Sequence, residues 1–258
     1  MTSNIRRMLL WGISITFLIP FIYLLLLSLS GSWAFPAIWP KEITLRNWEA
    51  IFSYQTGIQS SFLFSVIISL SVACIATSTA FITSKFIAYH PKRGTWMLLS
   101  YFPFILSPVI YAACIYFFFI RTNLTGNTPG VVLGQLLIAY PYAVIIFSGF
   151  WNKQLKSMEE LTTTLGGNTL QIYMKVLIPA AKGMLLVVFF QTFLISWFEY
   201  GLTTIIGVGK VQTLTLKVFQ YINEANIFYA ALSSCLLIIP PAILLYINKK
   251  FVFKEHAG

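Results

Sequence analysis

The side chains best able to do chemistry in this 258-residue chain are its seven acidic ones, and all seven are glutamate. An aspartate nucleophile, an aspartate base or an aspartate metal cage is therefore excluded. The two histidines, His90 and His256, fall outside the long apolar runs, and neither is spaced with a glutamate as a zinc pair requires. Cys74, Cys114 and Cys235 stand singly inside apolar runs without CxxC spacing, the pattern of small packing residues. No Gly-x-Ser-x-Gly elbow and no Ser/His/Asp set occurs. Gly207-Val-Gly209-Lys210 has the ingredients of a phosphate loop, but Lys210 is followed by Val211 where Ser or Thr is needed, so nucleotide chemistry is not expected here.

One carboxylate is unusual in its setting. Glu199 lies in the stretch Ser196-Trp-Phe-Glu199-Tyr-Gly201, inside a long apolar run. Thr192, Ser196, Glu199 and Thr203 recur at i, i+4, i+7 and i+11, which predicts one polar stripe on one helix. A carboxylate near the bilayer centre costs at least about 2.5–3.5 kcal/mol, so it faces a cavity or a partner. Counting about 1.5 Å per residue from Gly183 puts Glu199 roughly 24 Å along, in the outer part of the hydrocarbon core. Two readings follow. Either the stripe lines a translocation path, where Glu199 favours a cationic solute or stabilises one state of a gate, or Glu199 snorkels to the outer interface or pairs there with Lys or Arg.

The elements that must position these residues are set by composition. With 58% hydrophobic and 9% charged residues and a mean hydropathy of +0.80, the chain is an integral membrane protein. Six stretches reach the roughly 20 apolar residues a spanning helix needs: 8–30, 58–81, 95–120, 131–150, 183–206 and 227–247. The first is too long for a cleaved signal peptide. Residues 31–57 form an external loop whose Pro36 and Pro40 break regular structure and whose Trp33, Trp39 and Trp48 suit the headgroup level. Ser61, Ser65, Ser69, Ala73 and Thr77, at strict four-residue intervals, form a small-residue stripe for close helix packing. Residues 85–94 read as a short basic loop. The net charge of +10 is no nucleic-acid signal, because the basic residues stand singly at the ends of apolar runs. Twelve of them fall on the side of both termini, from Arg6 and Arg7 to Lys254, against Lys41, Arg46, Arg121, Lys210 and Lys217 opposite. That asymmetry places both termini in the cytoplasm.

The polar interruption 157–182 lies on the same side. Ser157 with Glu160, and Asn168 with Gln171, read as two successive capping boxes. Gly166 and Gly167 between them suit a left-handed helix end, and Pro179 is expected to keep the second helix from running on unchanged into the next apolar span. Met158, Leu161 and Leu165 give the first helix an apolar stripe at i, i+3 and i+7. A helix this short is marginal alone and calls for a partner surface.

The run Glu159-Glu160-Leu161-Thr-Thr-Thr-Leu165-Gly166, followed by Ile178-Pro179, resembles the "EAA" loop of bacterial ABC-importer permeases. Glu160 and Gly166 match that motif, and Leu161 and Thr162 stand where it has two alanines. The resemblance implies an all-α fold of six transmembrane helices, one permease domain over 1–258, with a cytoplasmic coupling helix in which Ser157, Met158, Glu159, Glu160, Leu161, Leu165, Gly166 and Gly167 meet a separate ATPase. It implies that ATP and Mg bind on that ATPase and no cofactor on this chain. It also implies a second permease subunit, identical or homologous, a periplasmic or lipoprotein solute-binding protein, and a bacterial inner-membrane location. Residues 197–231, with Val211-Gln-Thr-Leu-Thr-Leu216, are similar to the polyamine, thiamine, iron and sulfate branch. Thr44-Leu-Arg-Asn-Trp48 fits that branch and sugar importers alike. The rivals are an ion-gradient-driven secondary transporter, which usually has inverted halves or discontinuous helices, and a membrane enzyme, which needs clustered His, Asp or Glu.

Overall fold

The computed structural model describes residues 2–33, 37, 39–52 and 56–252. Pro36, Lys254 and His256 lie outside the described residues. In chain order the elements are α1 (Thr2–Ser28), strands β1 (Ser30–Ser32) and β2 (Glu42–Ile43), α2 (Arg46–Glu49), α3 (Ile58–Tyr89), α4 (Arg93–Tyr101), α5 (Pro108–Arg121) and α6 (Thr128–Ser148). Then come α7 (Lys153–Thr164), α8 (Thr169–Gln171), α9 (Ile178–Trp197), α10 (Gly201–Gly207), α11 (Leu214–Asn223) and α12 (Ile227–Val252). Five uninterrupted helical stretches among the described residues are long and apolar enough to cross a membrane: Leu10–Ser28, Ile58–Tyr89, Thr128–Ser148, Thr169–Trp197 and Ile227–Lys250. A sixth candidate, Arg93–Phe104 with Pro108–Arg121, is bent by 98°.

That bend corrects the expected third span, and proline causes it. The Pro108 ring disfavours helical backbone in the residue before it, and Ser107 is extended at φ −62°, ψ 145°. Pro103 sits just upstream in a short 3-10 turn, Phe102–Phe104. The second span is longer than expected, because α3 continues to Tyr89 through residues expected to be loop. In the fifth span the helix does not run unchanged up to Pro179, though it does not end there. A π-helical segment, Ile172–Leu177, joins α8 to α9, with the Ile178 N–H donating to the carbonyl of Tyr173 five residues back. The wider turn draws the preceding carbonyls off the proline ring, and the helix runs on to Trp197. It then breaks at residues 198–200, inside the span expected to be continuous.

The chain forms two compact units, Met1–Phe64 with Thr213–Pro240, and Ser65–Gln212 with Pro241–Gly258. In the first, α1 exposes apolar side chains on all sides from Leu10 to Leu25, as a helix surrounded by lipid does. The loop after it is tied down locally. Asn47 donates its amide to the carbonyls of Ser28 and Ser30, at 3.2 and 2.8 Å, and the Trp48 indole to the Ser28 hydroxyl at 3.3 Å. Trp48 thus packs inward, whereas Trp39 is exposed. The Tyr221 phenol of α11 donates to the Thr56 carbonyl at 2.7 Å, and burial, then the Glu224 carboxylate, push its pKa above the ordinary value.

Among its described residues the second unit has two apolar clusters. One gathers Phe81, Phe147, Trp151, Leu155, Ile172 and Leu177 beneath α7 and the π-helical segment. The other gathers Ile68, Val72, Val131, Leu202 and Ile206 around α10. Ser65, Ser69, Ala73 and Thr77 of the small-residue stripe are all buried, as close packing of α3 requires.

Candidate functional site

The coupling segment starts earlier than its sequence suggests. Asn152 has extended backbone and its side chain accepts from the Leu155 N–H at 2.9 Å, so α7 is capped there and Ser157 sits in mid-helix. An asparagine in an extended residue, five positions upstream, supplies the cap before Ser157 is reached. The other end follows expectation. Gly166 is left-handed at φ +81°, its N–H donates to the Thr163 carbonyl and that of Gly167 to the Thr162 carbonyl, at 3.0 and 2.9 Å. This pair of bonds closes the last turn of α7. The second capping box is complete: Gln171 N–H to Asn168 Oδ1 at 2.8 Å and Asn168 N–H to Gln171 Oε1 at 3.1 Å.

Between these fixed ends α7 has two faces. Leu155, Glu159 and Thr162 turn inward, with Leu155 buried and the other two half-buried. Glu159 is held by an ion pair with Lys85 near the end of α3, and that ammonium also lies 4.9 Å from the centre of the Tyr173 ring. The Tyr89 phenol donates to the Asn152 carbonyl at 3.1 Å, and the Trp151 indole to the Ser84 hydroxyl at 2.8 Å. Four contacts thus fasten the segment and the residues just before it to the last turns of α3. A flanking face is apolar and open, with Met158, Leu161 and Leu165 exposed by 45%, 61% and 81%. Glu160 lies on the exposed side, 3.8 Å from Lys156, a surface pair that contributes little to stability.

The polar stripe of the fifth span is reorganised by the break after Trp197. Thr192 and Ser196 remain on α9, Glu199 lies in the break, and Thr203 belongs to α10. Glu199 folds over the start of α10: its carboxylate accepts from the Leu202 and Thr203 N–H groups at 2.6 and 2.8 Å and from the Thr203 hydroxyl at 2.6 Å. These are among the donors that a helix start otherwise leaves unpaired. Gln135 of α6, 1% exposed, donates to the Thr203 hydroxyl at 3.0 Å and accepts from the Ser196 hydroxyl at 2.5 Å. Ser196 in turn meets Ser69 of α3 at 3.2 Å, and the Thr192 hydroxyl lies 3.3 Å from that of Thr77. Ser196, Glu199 and Thr203 therefore enter one set of hydrogen bonds through Gln135, by bridging elements rather than by sharing a helix face, and Thr192 pairs separately with Thr77.

α10 is wedged tightly into its surroundings. A Cβ on Gly201 would come within 2.7 Å of Val109 on α5, and one on Gly134 within 2.5 Å of Ile206. Its far end is fastened by the Gly126 N–H, which donates to the Ile206 carbonyl at 2.8 Å. Sequence reasoning missed Lys85 and Gln135. A lone amide in the apolar run of α6 is a readable signal, since buried polar groups in a span require partners; Lys85 carries none, because its partner is 74 residues away.

The family described as "Binding-protein-dependent transport system inner membrane component" matches residues 83–253, well over half of the chain and all of the coupling segment. The chain belongs to that family. It is an ABC-importer inner-membrane permease. The permease is 17% identical over 254 residues to the probable ABC transporter permease protein y4oR of Sinorhizobium fredii, covering 95% of this chain and 91% of that protein. It is 20% identical over 248 residues to the inner membrane ABC transporter permease protein YcjP of Escherichia coli, covering 91% and 88%. To YnjC of the same organism, also an inner membrane ABC transporter permease protein, it is 27% identical over 170 residues, covering 65% of this chain and 32% of that one. Its fold matches a chain in the crystal structure of a bacterial ABC transporter involved in the import of the acidic polysaccharide alginate, with a TM-score of 0.69 at 17% identity over 97% and 96% of the two chains. A multi-pass location in the inner membrane follows from the family and the apolar helices.

Proposed function

We propose that this permease forms, with a second identical or homologous permease, the path for a small polar solute handed over by an external binding protein, and that hydrolysis of Mg-bound ATP on separate subunits drives it through α7. The observation that carries the reading is the construction of α7: one face fastened to the membrane helices, with an open apolar stripe beside it. The orientation that suits this role has both termini and α7 in the cytoplasm, the side favoured by twelve basic residues against five. ATP must bind one conformation of the assembly better than the other, and α7 conveys that preference.

The hydrogen-bonded set around Gln135 supports a polar passage and a gate in which α10 moves with α9. Glu199 fits the gate role best, because its carboxylate is engaged by α10 itself. Its three donors are uncharged, which agrees with a neutral or cationic solute of the polyamine, thiamine or iron type better than with an anionic one such as alginate. The experiment is a double substitution, Leu161→Asp with Leu165→Asp, in the assembled transporter. The chain is expected to insert and fold normally while uptake falls at least tenfold and ATP hydrolysis no longer answers to solute. Uptake at the wild-type rate would remove the proposal.

A further inference from the structure

The second unit contains an apolar cavity of about 490 Å³ bounded by the last turns of α3, by α4 and by the middle of α6. Ile82, Phe86, Trp96, Leu99 and Pro141 supply most of its wall. Three hydroxyls also reach it, and each is already used within the protein. Tyr140 donates to Thr83 at 2.9 Å, Thr83 to the Thr79 carbonyl at 3.0 Å, and Ser100 to the Trp96 carbonyl at 3.2 Å. The cavity therefore offers hydrocarbon contacts and no spare donor, which suits an alkyl chain and not a polar solute.

Its rim is basic. His90 lies against two of the wall residues, its ring centre 5.4 Å from that of Phe86 and 6.1 Å from that of Trp96. The turn is fixed, with the Lys92 N–H donating to His90 Nδ1 at 3.0 Å and Arg93 to the Ser148 carbonyl at 3.2 Å. Lys92 is exposed. α3 has 32 residues, roughly 48 Å at about 1.5 Å each, against a hydrocarbon core of about 30 Å. Its last turns and the basic turn therefore reach headgroup level. An apolar slot whose Phe86 and Trp96 walls lie against the His90–Arg93 turn at that depth matches one ligand in both halves.

We infer that this cavity binds one anionic phospholipid, an acyl chain lying between α3, α4 and α6 and the phosphate against the His90–Arg93 turn. Basic pockets between membrane helices hold such headgroups, each nearby Lys or Arg favouring them. The larger apolar cavity of the first unit, about 640 Å³, is lined by Glu49 and lacks this complementarity.

The test uses the full chain, delipidated in detergent and offered phosphatidylglycerol or phosphatidylcholine with identical acyl chains, with retained lipid counted by native mass spectrometry. Wild type is expected to keep one phosphatidylglycerol about tenfold more tightly than phosphatidylcholine. Lys92→Glu should abolish that preference, and Leu99→Trp, at an exposed position on the wall, should remove the retained lipid; Ile82→Ala, which enlarges the cavity, should keep it and so shows that substitution alone does not unfold the site. Equal retention of the two lipids by wild type, or full retention by Leu99→Trp, overturns the inference. A photoactivatable group at Leu99 in native membranes should yield lipid adducts, and a protein adduct in their place overturns it too.

Discussion

Glu159 and Glu199 are both partly withdrawn from water, at two ends of the same compact unit, and the chain stabilises them by opposite means. Glu159 meets a full positive charge, the Lys85 ammonium, and that pair fastens α7 to α3. Glu199 meets two backbone N–H groups and a hydroxyl, and those bonds fasten α10 to the break after α9. The ion pair tolerates small shifts, because Coulomb attraction falls slowly with distance. The hydrogen bonds demand fixed geometry and weaken steeply when angles change. A segment that conveys movement from a partner is suited to the first arrangement. The gate proposed for α10, in place or out of place, is suited to the second.

The largest effect is expected at the second site. Glu199→Ala leaves the Leu202 and Thr203 donors without their acceptor and should destabilise the permease by about 2–3 kcal/mol in thermal unfolding. Glu199→Gln retains one oxygen but sets an NH2 against donors, so its loss should be intermediate and uptake should fall in the same order. A residue that only contacts solute would instead lose uptake equally in both variants, at unchanged stability. Gly167→Ala comes next. Its Cβ would lie 2.8 Å from the Thr162 methyl and 2.9 Å from the Thr162 carbonyl oxygen, so the end of α7 must open. A loss of about 1–3 kcal/mol, read as earlier proteolysis within residues 153–171, is the expected outcome.

Much of this organisation is legible in the sequence. The spans α1, α6 and α12 follow from apolar run length, and the turn at Gly166-Gly167 and the Asn168–Gln171 box follow from residue types that only those conformations favour. The breaks are harder to read. Pro108 marks the bend before α5, yet prolines such as Pro141 and Pro179 lie within continuous helix, because a widened turn or local packing can absorb a missing N–H. The break at residues 198–200 carries no Ser, Thr, Asp or Asn in the capping position. A glutamate reaching forward by three and four residues does that work, and a periodic stripe conceals it. Pairings such as Lys85 with Glu159 depend on tertiary placement and leave no local trace.

Smaller effects sharpen the contrast. Lys85→Met should cost about 1–2 kcal/mol, discounted for the pair's partial exposure, and the further change Glu159→Gln should recover most of it. Raising salt from 0.1 to 1 M should loosen the wild-type α7 attachment, measured by hydrogen exchange over residues 153–164, because the Debye length shrinks from about 10 to about 3 Å. The α10 amides should exchange at the same rate in both. Lys156→Ala, at the exposed pair with Glu160, should change stability by no more than about 0.3 kcal/mol.

The role assigned to α7 is tested most directly by a photo-crosslinker placed at Leu161 in the assembled transporter, with Leu155 on the buried face as the control position. Leu161 is predicted to form an adduct with the ATP-hydrolysing subunit whose yield changes when ATP is bound, and Leu155 to react only within the permease. Absence of any adduct from Leu161 to that subunit, in an assembly that still imports solute, would contradict it.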